Sequence, residues 1–286
     1  MLWLLLVSFV WAFSFGLIKD RLTGIDSSLV AFFRLFLALL VFLPFARGGG
    51  LRIRDLGTLG AIGAIQFGVM YIAYIAAFAH LAAYEVAVLS IFTPLLVCIV
   101  NDALERRFNI WPFVAAAVAT AGAAVILMER PLTAASWGGV VLMQLSNLCF
   151  ALGQVAYSRW KRSHAEIQDA RVFFVLYLGA VAVTAVPAAQ SFDTLANIGS
   201  SQWMALLYLG VVASGLGFFA WNYGAARTPT GLLAVVNNAK IPLAVACSVI
   251  FFGEQANLAR LLIGGALIVL AGALAHRKGP RPQPSS

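Results

Sequence analysis

Apolar windows about as long as a bilayer is thick follow one another along almost the whole chain, and this spacing limits the fold more than any single motif. They fall at roughly 2–18, 28–46, 56–79, 82–103, 109–127, 136–158, 168–188, 203–225, 230–252 and 258–276. A helix rises ~1.5 Å per residue and a hydrocarbon core is about 30 Å thick, so ~20 apolar residues cross it. The breaks between windows carry helix-ending punctuation: Thr23-Gly24 with Asp26-Ser27, Arg47-Gly48-Gly49-Gly50, Arg130-Pro131, Thr228-Pro229 and Gly253-Glu254. With 62% hydrophobic and 10% charged residues, an ordinary soluble domain is excluded, because there the charged share is about a quarter. The expected class is an all-α polytopic membrane protein with ten transmembrane helices.

The formal charge of +8 does not point to nucleic acid, because no soluble basic domain is present to bind it. The basic residues punctuate the spans instead, as orientation signals do. With the N-terminus in the cytoplasm, thirteen of the nineteen Lys and Arg fall in inner loops and four (Lys19, Arg21, Arg130, Arg260) in outer loops. Arg34 and Lys240 lie within spans. Both termini are therefore expected in the cytoplasm of a cell whose inner membrane the chain spans. The opening run MLWLLLVSFVWAFSF lacks a basic start and a small-residue cleavage site, so it is expected as a retained first helix. Cys98, Cys149 and Cys247 sit in apolar spans without CxxC spacing, which argues against a disulfide framework and a metal site. His80, His164 and His276 lie at loop edges, and no HExxH or Ser/His/Asp grouping falls within the spans. Neither catalytic residues nor a cofactor are expected.

The stretch from Pro229 to Glu254 is apolar enough to span, yet it holds Asn237, Asn238 and Lys240 just ahead of Pro242. Lys240 lies roughly 16 Å along a helix from Pro229 and roughly 21 Å from Glu254, near the midplane. Its stem adds only about 6 Å, too short to snorkel to a headgroup, and facing lipid the charge would cost several kcal/mol. Pro242 has no N–H for the Asn238 carbonyl, which is left able to accept a bond from a substrate ammonium. These groups at one depth read as a binding site, with Lys240 anchoring a carboxylate. The competing reading is a lysine satisfied by Asn237 or held neutral by desolvation.

The chain also repeats. AVLSIFTPLLVCIVNDALERRFNIWPFVAAAVATAGAAVIL aligns with LAVVNNAKIPLAVACSVIFFGEQANLARLLIGGALIVLAGALA, matching Pro94 with Pro242, Ser90 with Asn238 and Glu105 with Glu254. Both prolines are expected to break their helices. Five spans per half is an odd number, so the second half must be inverted, and inverted repeats with broken helices meeting at mid-membrane mark transporters. The boundaries expected are 1–130 for the first repeat, 131–278 for the second and 279–286 for a disordered cytoplasmic tail.

These features resemble the drug/metabolite transporter superfamily in its EamA-type, ten-helix form. The resemblance rests on Ala-Phe-Phe-Arg34-Leu in the second helix, Ala-Tyr-Glu-Val-Ala with Pro94 and Glu105 in the fourth, and Trp221-Asn222-Tyr223 in the eighth. Pro242 with Gly253-Glu254 in the ninth and Ala271-Gly272 in the tenth complete it. It implies two inverted five-helix repeats around a central cavity lined by helices 1, 3, 4, 6, 8 and 9. It also implies transport of amino acids, carboxylates, amines or other metabolites. The Asn-Asn-Ala-Lys-Ile-Pro run resembles the carboxylate/amino-acid/amine branch. The family's small multidrug exporters use an acid in the first helix, and residues 2–18 contain none. The function expected is a secondary transporter, working as an exporter of amino acid-like or carboxylate metabolites by alternating access. The runner-up is a broad amphiphile efflux pump or nucleotide-sugar carrier. The partners expected are a small-molecule substrate and the bilayer, with the chain a monomer.

Other polar and aromatic positions carry two readings each. Gln144, Asn147, Gln154 and Ser158 form a stripe within about 80° of arc on the sixth helix, facing either a cavity or a packed neighbour. Trp11, Tyr74 and Trp221 belong to aromatic faces that serve packing or substrate contact. Glu85 is a gate or proton-coupling residue or an interfacial carboxylate. Arg34, only about 9 Å inside its helix, is expected to reach headgroups or Asp26. Asp102 and Arg106, spaced i, i+4, are expected to pair, and Glu105 and Glu254 to serve turns.

Overall fold

The computed structural model describes residues 2–22, 24–46, 50–81, 83–106, 108–127, 136–252 and 257–278. Glu254 and the expected tail 279–286 lie outside the described residues. Those described form ten helical rods and no strand. They are α1 (Leu2–Arg21), α2 (Ser27–Phe42), α3 (Ile53–Ala77), α4 (Ala83–Ser90 and Thr93–Glu105) and α5 (Ile110–Leu127). The second half gives α6 (Trp137–Ser163), α7 (Asp169–Ala188), α8 (Ser200–Ala225), α9 (Thr230–Phe252) and α10 (Leu258–Lys278). Eight of the helical stretches are long and apolar enough to cross a membrane, and α1 adds a shorter apolar run, Trp3–Ser14. The protein is an all-α polytopic membrane protein.

Local chemistry starts and stops these rods. Asp26 caps α2, its carboxylate accepting from the Ser28 and Leu29 N–H groups at 2.9 and 3.3 Å and from the Ser28 hydroxyl. Partial burial opposes its charge, but these bonds and one from Ser191 outweigh it and hold the carboxyl below its ordinary 3.8. Asp55 caps α3 by accepting the Arg52 N–H at 3.0 Å, and Ser136 caps α6 through the Gly139 N–H at 3.1 Å. Arg106 ends α4 in the left-handed region at φ 51°. Asp102 does not pair with it. The carboxylate caps the next turn instead, accepting the Asn109 N–H at 2.9 Å. Glu105 reaches across to Arg162 of α6 at 3.1 Å.

Packing sorts the rods into an outer pair and an inner group. α5 and α10 lie against each other so closely that a Cβ at Gly122 would stand 2.6 Å from the Gly264 carbonyl, and one at Gly264 would strike the Gly122 carbonyl. Small residues permit this backbone contact, the usual basis of helix association in lipid. Large side chains of α10 such as Leu262, Ile263 and Val269 point outward, as a lipid-facing surface requires. α2 packs on α7 and α8, α3 on α6 and α7, and α9 on α1, α4, α5 and α10. The core gathers Leu4, Phe67, Phe173, Tyr177, Phe218 and Trp221.

Three inner helices depart from regular α geometry. α3 widens to a π-helix over Ala64–Val69, and α8 does the same over Leu209–Leu216. α4 is interrupted at Ile91 and Phe92, with Pro94 in the first turn of its second piece. The break expected at Pro242 is not found: α9 runs unbroken from Thr230 to Phe252 with the proline inside it. A single proline removes only one backbone bond, and α9 is braced along its length by α1, α4, α5 and α10.

Candidate substrate-binding site

In a membrane interior, every backbone carbonyl freed by an irregular helix needs a partner. At the α4 break the partners are side chains from three other helices. Asn147 of α6 donates to the Leu89 carbonyl at 2.9 Å, and Gln144 donates to the same oxygen at 3.4 Å. Thr120 of α5 donates to the Ile91 carbonyl at 3.1 Å, joined by Asn238 of α9 at 3.3 Å. Thr93 of α4 closes the ring by donating to Asn147 Oδ1 at 3.0 Å. The π segment of α8 is served in the same way. Trp11 Nε1 donates to the Ala213 carbonyl at 3.0 Å, and the Tyr177 hydroxyl to the Ser214 carbonyl at 2.7 Å.

The irregular helices surround a cavity with about 720 Å³ of atom-free space, the open solvent at its mouth included. Its apolar wall comes from Trp11, Ile18, Met70, Met143, Phe150 and Phe218. Its polar wall comes from Ser14, Arg34, Tyr71, Tyr74, Ser90, Thr93, Ser146, Asn147, Asn237 and Lys240. No acidic side chain lines it among the described residues. The wall draws on α1, α3, α4, α6, α8 and α9, with α2 added through Arg34.

Two cations face this space. Lys240 is buried, and among the described residues neither a hydrogen-bond nor an ion-pair partner reaches its ammonium. One turn away the Asn237 amide nitrogen is also buried without a partner, and no hydrogen bond joins Asn237 to Lys240. An unpaired buried donor costs about 1–3 kcal/mol, more when charged, which is tolerable where a ligand supplies the acceptor. Arg34 is the second cation. It does not reach the headgroups or Asp26, because its side chain turns inward. Nε donates to Ser214 at 3.2 Å, Nη2 to the Tyr71 hydroxyl at 2.7 Å, and the guanidinium lies 4.5 Å from the Tyr71 ring centre.

A smaller space of about 390 Å³ lies toward the other end of the bundle, lined by Asn101, Gln154, Ser158, Arg162, Thr228 and Thr230 among others. Trp221 links the two walls. Its indole N–H donates to Gln154 at 2.7 Å, and its ring centre stands 5.1 Å from that of Trp11 on the larger cavity. Beside it Gln66 donates to Asn222 at 3.0 Å.

Of the residues singled out from sequence, Trp11, Tyr74, Asn147, Asn237 and Lys240 come together on the cavity wall. Gln144, Gln154, Asn238, Trp221 and Glu85 do not line it. Gln144 and Asn238 serve the α4 break, Gln154 and Trp221 form the layer between the spaces, and Glu85 is buried in the first turn of α4. Asn238, whose carbonyl was expected to accept from a substrate ammonium, stands off this cavity. Sequence reasoning missed Arg34, Tyr71, Ser90 and Thr93. The midplane-cost argument applied to Lys240 would have found Arg34 had its side chain not been allowed to snorkel outward.

The pattern of the EamA-like transporter family matches residues 1–128 and 137–276. A protein of Pseudomonas aeruginosa named a probable biotin transporter is 39% identical over 98% of this chain and 99% of its own length. The protein named biotin transporter in Escherichia coli K12 is 35% identical over 99% of this chain and 94% of its own, and that of Salmonella typhimurium is 34% identical over 98% and 94%. A solved crystal structure superposes with a TM-score of 0.77 at 21% identity, covering 96% of both chains, which shows a shared fold. The resemblance read from the helix motifs, the ten-rod architecture and these matches agree: the chain belongs to the EamA-like transporters of the drug/metabolite transporter superfamily, and it is a small-molecule membrane transporter and not an enzyme.

Proposed function

We propose that the protein carries a small organic carboxylate that bears no ammonium group, biotin being the leading candidate, across the cytoplasmic membrane by alternating access. The observation that supports this most is the Lys240 ammonium and the Asn237 amide nitrogen, both without a partner among the described residues, on a wall where those residues include no acid. An amine or amino acid would bring its ammonium against Arg34 and Lys240 with no carboxylate to receive it, and like charges in a low dielectric repel by several kcal/mol. A carboxylate meets two cations and no acidic side chain among the described residues. This argument narrows the substrate expected from sequence, and the names of the relatives point to biotin.

Alternating access is supported by two spaces on one bundle separated by the Trp221–Gln154 layer. The paired π segments of α3 and α8, one in each half, support the inverted repeat. We place both termini in the cytoplasm, and the substrate contacts at Lys240, Asn237, Asn147, Tyr74 and Trp11. Glu85 remains a proposed gate or coupling residue. Proteoliposome flux of labelled biotin, run in both directions, tests the reading and measures whether net movement is outward. Free acids should compete while the uncharged biotin amide should not. Exchange of amino acids or amines with biotin inert would overturn the reading.

A further inference from the structure

Arg34 presents a second cation to the cavity, which the reading above uses only to repel an ammonium. It lies about 10 Å along α2 from Ser27, whereas Lys240 lies about 18 Å along α9 from Phe252. By helix count Ser27 and Phe252 mark the same side of the bundle, so the two cations sit about 8 Å apart in depth. Trp11, Ile18, Met70, Met143, Phe150 and Phe218 supply the apolar surface of the same wall.

A guanidinium has five N–H groups in a planar fork. Two are taken by Ser214 and Tyr71, leaving three without a partner among the described residues. The Tyr71 hydroxyl and Ser214 Oγ stand 3.0 Å apart, so the three groups brace one another and fix the fork in place. Unlike a lysine, an arginine cannot shed its charge to suit a dry site. Fixed donors of this kind favour a planar oxygen acceptor.

We propose that the Arg34–Tyr71–Ser214 cluster is a second polar seat of the cavity, receiving an oxygen acceptor at the far end of an elongated acid whose carboxylate lies at Lys240. The chemical class is a carbonyl of a cyclic urea or amide, joined to the carboxylate by an apolar linker. Biotin, with its ureido carbonyl, apolar ring and chain, and terminal carboxylate, has this form. The assignment rests on the carboxylate reading of Lys240 and adds the feature that separates such an acid from a plain fatty acid.

The test measures dissociation constants on the full chain in detergent for biotin and for hexanoate, which has a carboxylate and no distal carbonyl. In the unaltered protein biotin should bind at least tenfold tighter. Arg34→Gln should weaken biotin at least tenfold and leave hexanoate within twofold, while Arg34→Lys should recover only part of the loss. Tyr71→Phe keeps the ring under the guanidinium and should weaken biotin alone by a few-fold. Should Arg34→Gln fail to fold, phenylglyoxal modification of Arg34, located by mass spectrometry in the unaltered protein, should be slowed by biotin and not by hexanoate. Equal affinity for the two acids, an equal loss of both in Arg34→Gln, or labelling indifferent to biotin would overturn the second seat while leaving the Lys240 anchor standing. Binding of neither acid would bring down the carboxylate reading and the seat with it.

Discussion

Lys240 and Asn147 show how one depth in the membrane holds residues of different kinds. Lys240 has no partner among the described residues, so its loss should register in binding. A charge-assisted bond is worth about 1.5–3 kcal/mol, so Lys240→Met should weaken carboxylate binding roughly ten- to a hundredfold. The uncharged amide should be unaffected, and Lys240→Arg should restore only part because its fork is broader. Titration calorimetry checks this, and unchanged acid binding would make the lysine structural. Asn147 lines the same wall but also donates to the Leu89 carbonyl and accepts from Thr93. Asn147→Leu should therefore reduce transport and also cost about 1–3 kcal/mol, seen as a lower thermal midpoint, because the Leu89 carbonyl is left with only the longer bond from Gln144. Val141, exposed on α6 and off the cavity wall, should tolerate Ala within about 0.5 kcal/mol. The lysine was legible in sequence because no length of side chain could take its charge to water. Arg34 was not, because depth along a helix does not say which way a long side chain turns.

At the scale of a helix, the carbonyls freed at the α4 break are held by side chains from α5, α6 and α9. Thr120→Val keeps the shape and removes the donor to the Ile91 carbonyl. It should cost about 1 kcal/mol alone, and more when Asn238→Leu is added, since the second donor to that oxygen is then also gone. A double-mutant cycle on thermal unfolding reads the coupling, and strict additivity would deny the shared role. Helix α2 offers a test outside the membrane. The Asp26 carboxyl is held below its ordinary value, so its stabilising effect is present above about pH 4 and fades as pH falls through its lowered value. Asp26→Ala should cost about 0.5–2 kcal/mol at neutral pH, and the gap to the parent should close in acid. Helix positions were legible because ~20 apolar residues admit few alternatives. The break at Pro94 followed from the proline, but the intact α9 did not. Whether a helix runs through a proline depends on neighbours that the local sequence does not show.

At the scale of the whole molecule, the duplicated halves and the thirteen-to-four basic bias predict the placement of loops in the membrane. Gly49→Cys and Ser163→Cys should label only from the cytoplasm and Asp193→Cys only from outside, and labelling of all three from one side would break the inverted repeat. The layer joining the two spaces predicts a shift in conformation. Trp221→Phe keeps the ring and removes the bond to Gln154, so access of a thiol reagent to Ser158→Cys from the substrate side should rise. No change would mean that this bond does not hold the layer closed. Two positive groups in the cavity wall also bear on voltage. Each elementary charge moved through 100 mV of membrane potential is worth about 2.3 kcal/mol. With Lys240 and Arg34 both protonated, the empty carrier holds two charges at the site and the carrier loaded with a monocarboxylate holds one. Under the alternating access proposed above, the two halves of the cycle would feel the potential unequally, the empty return more than the loaded passage. Membrane potential, and not only the concentration of acid on either side, would then set how often the site comes back to be filled.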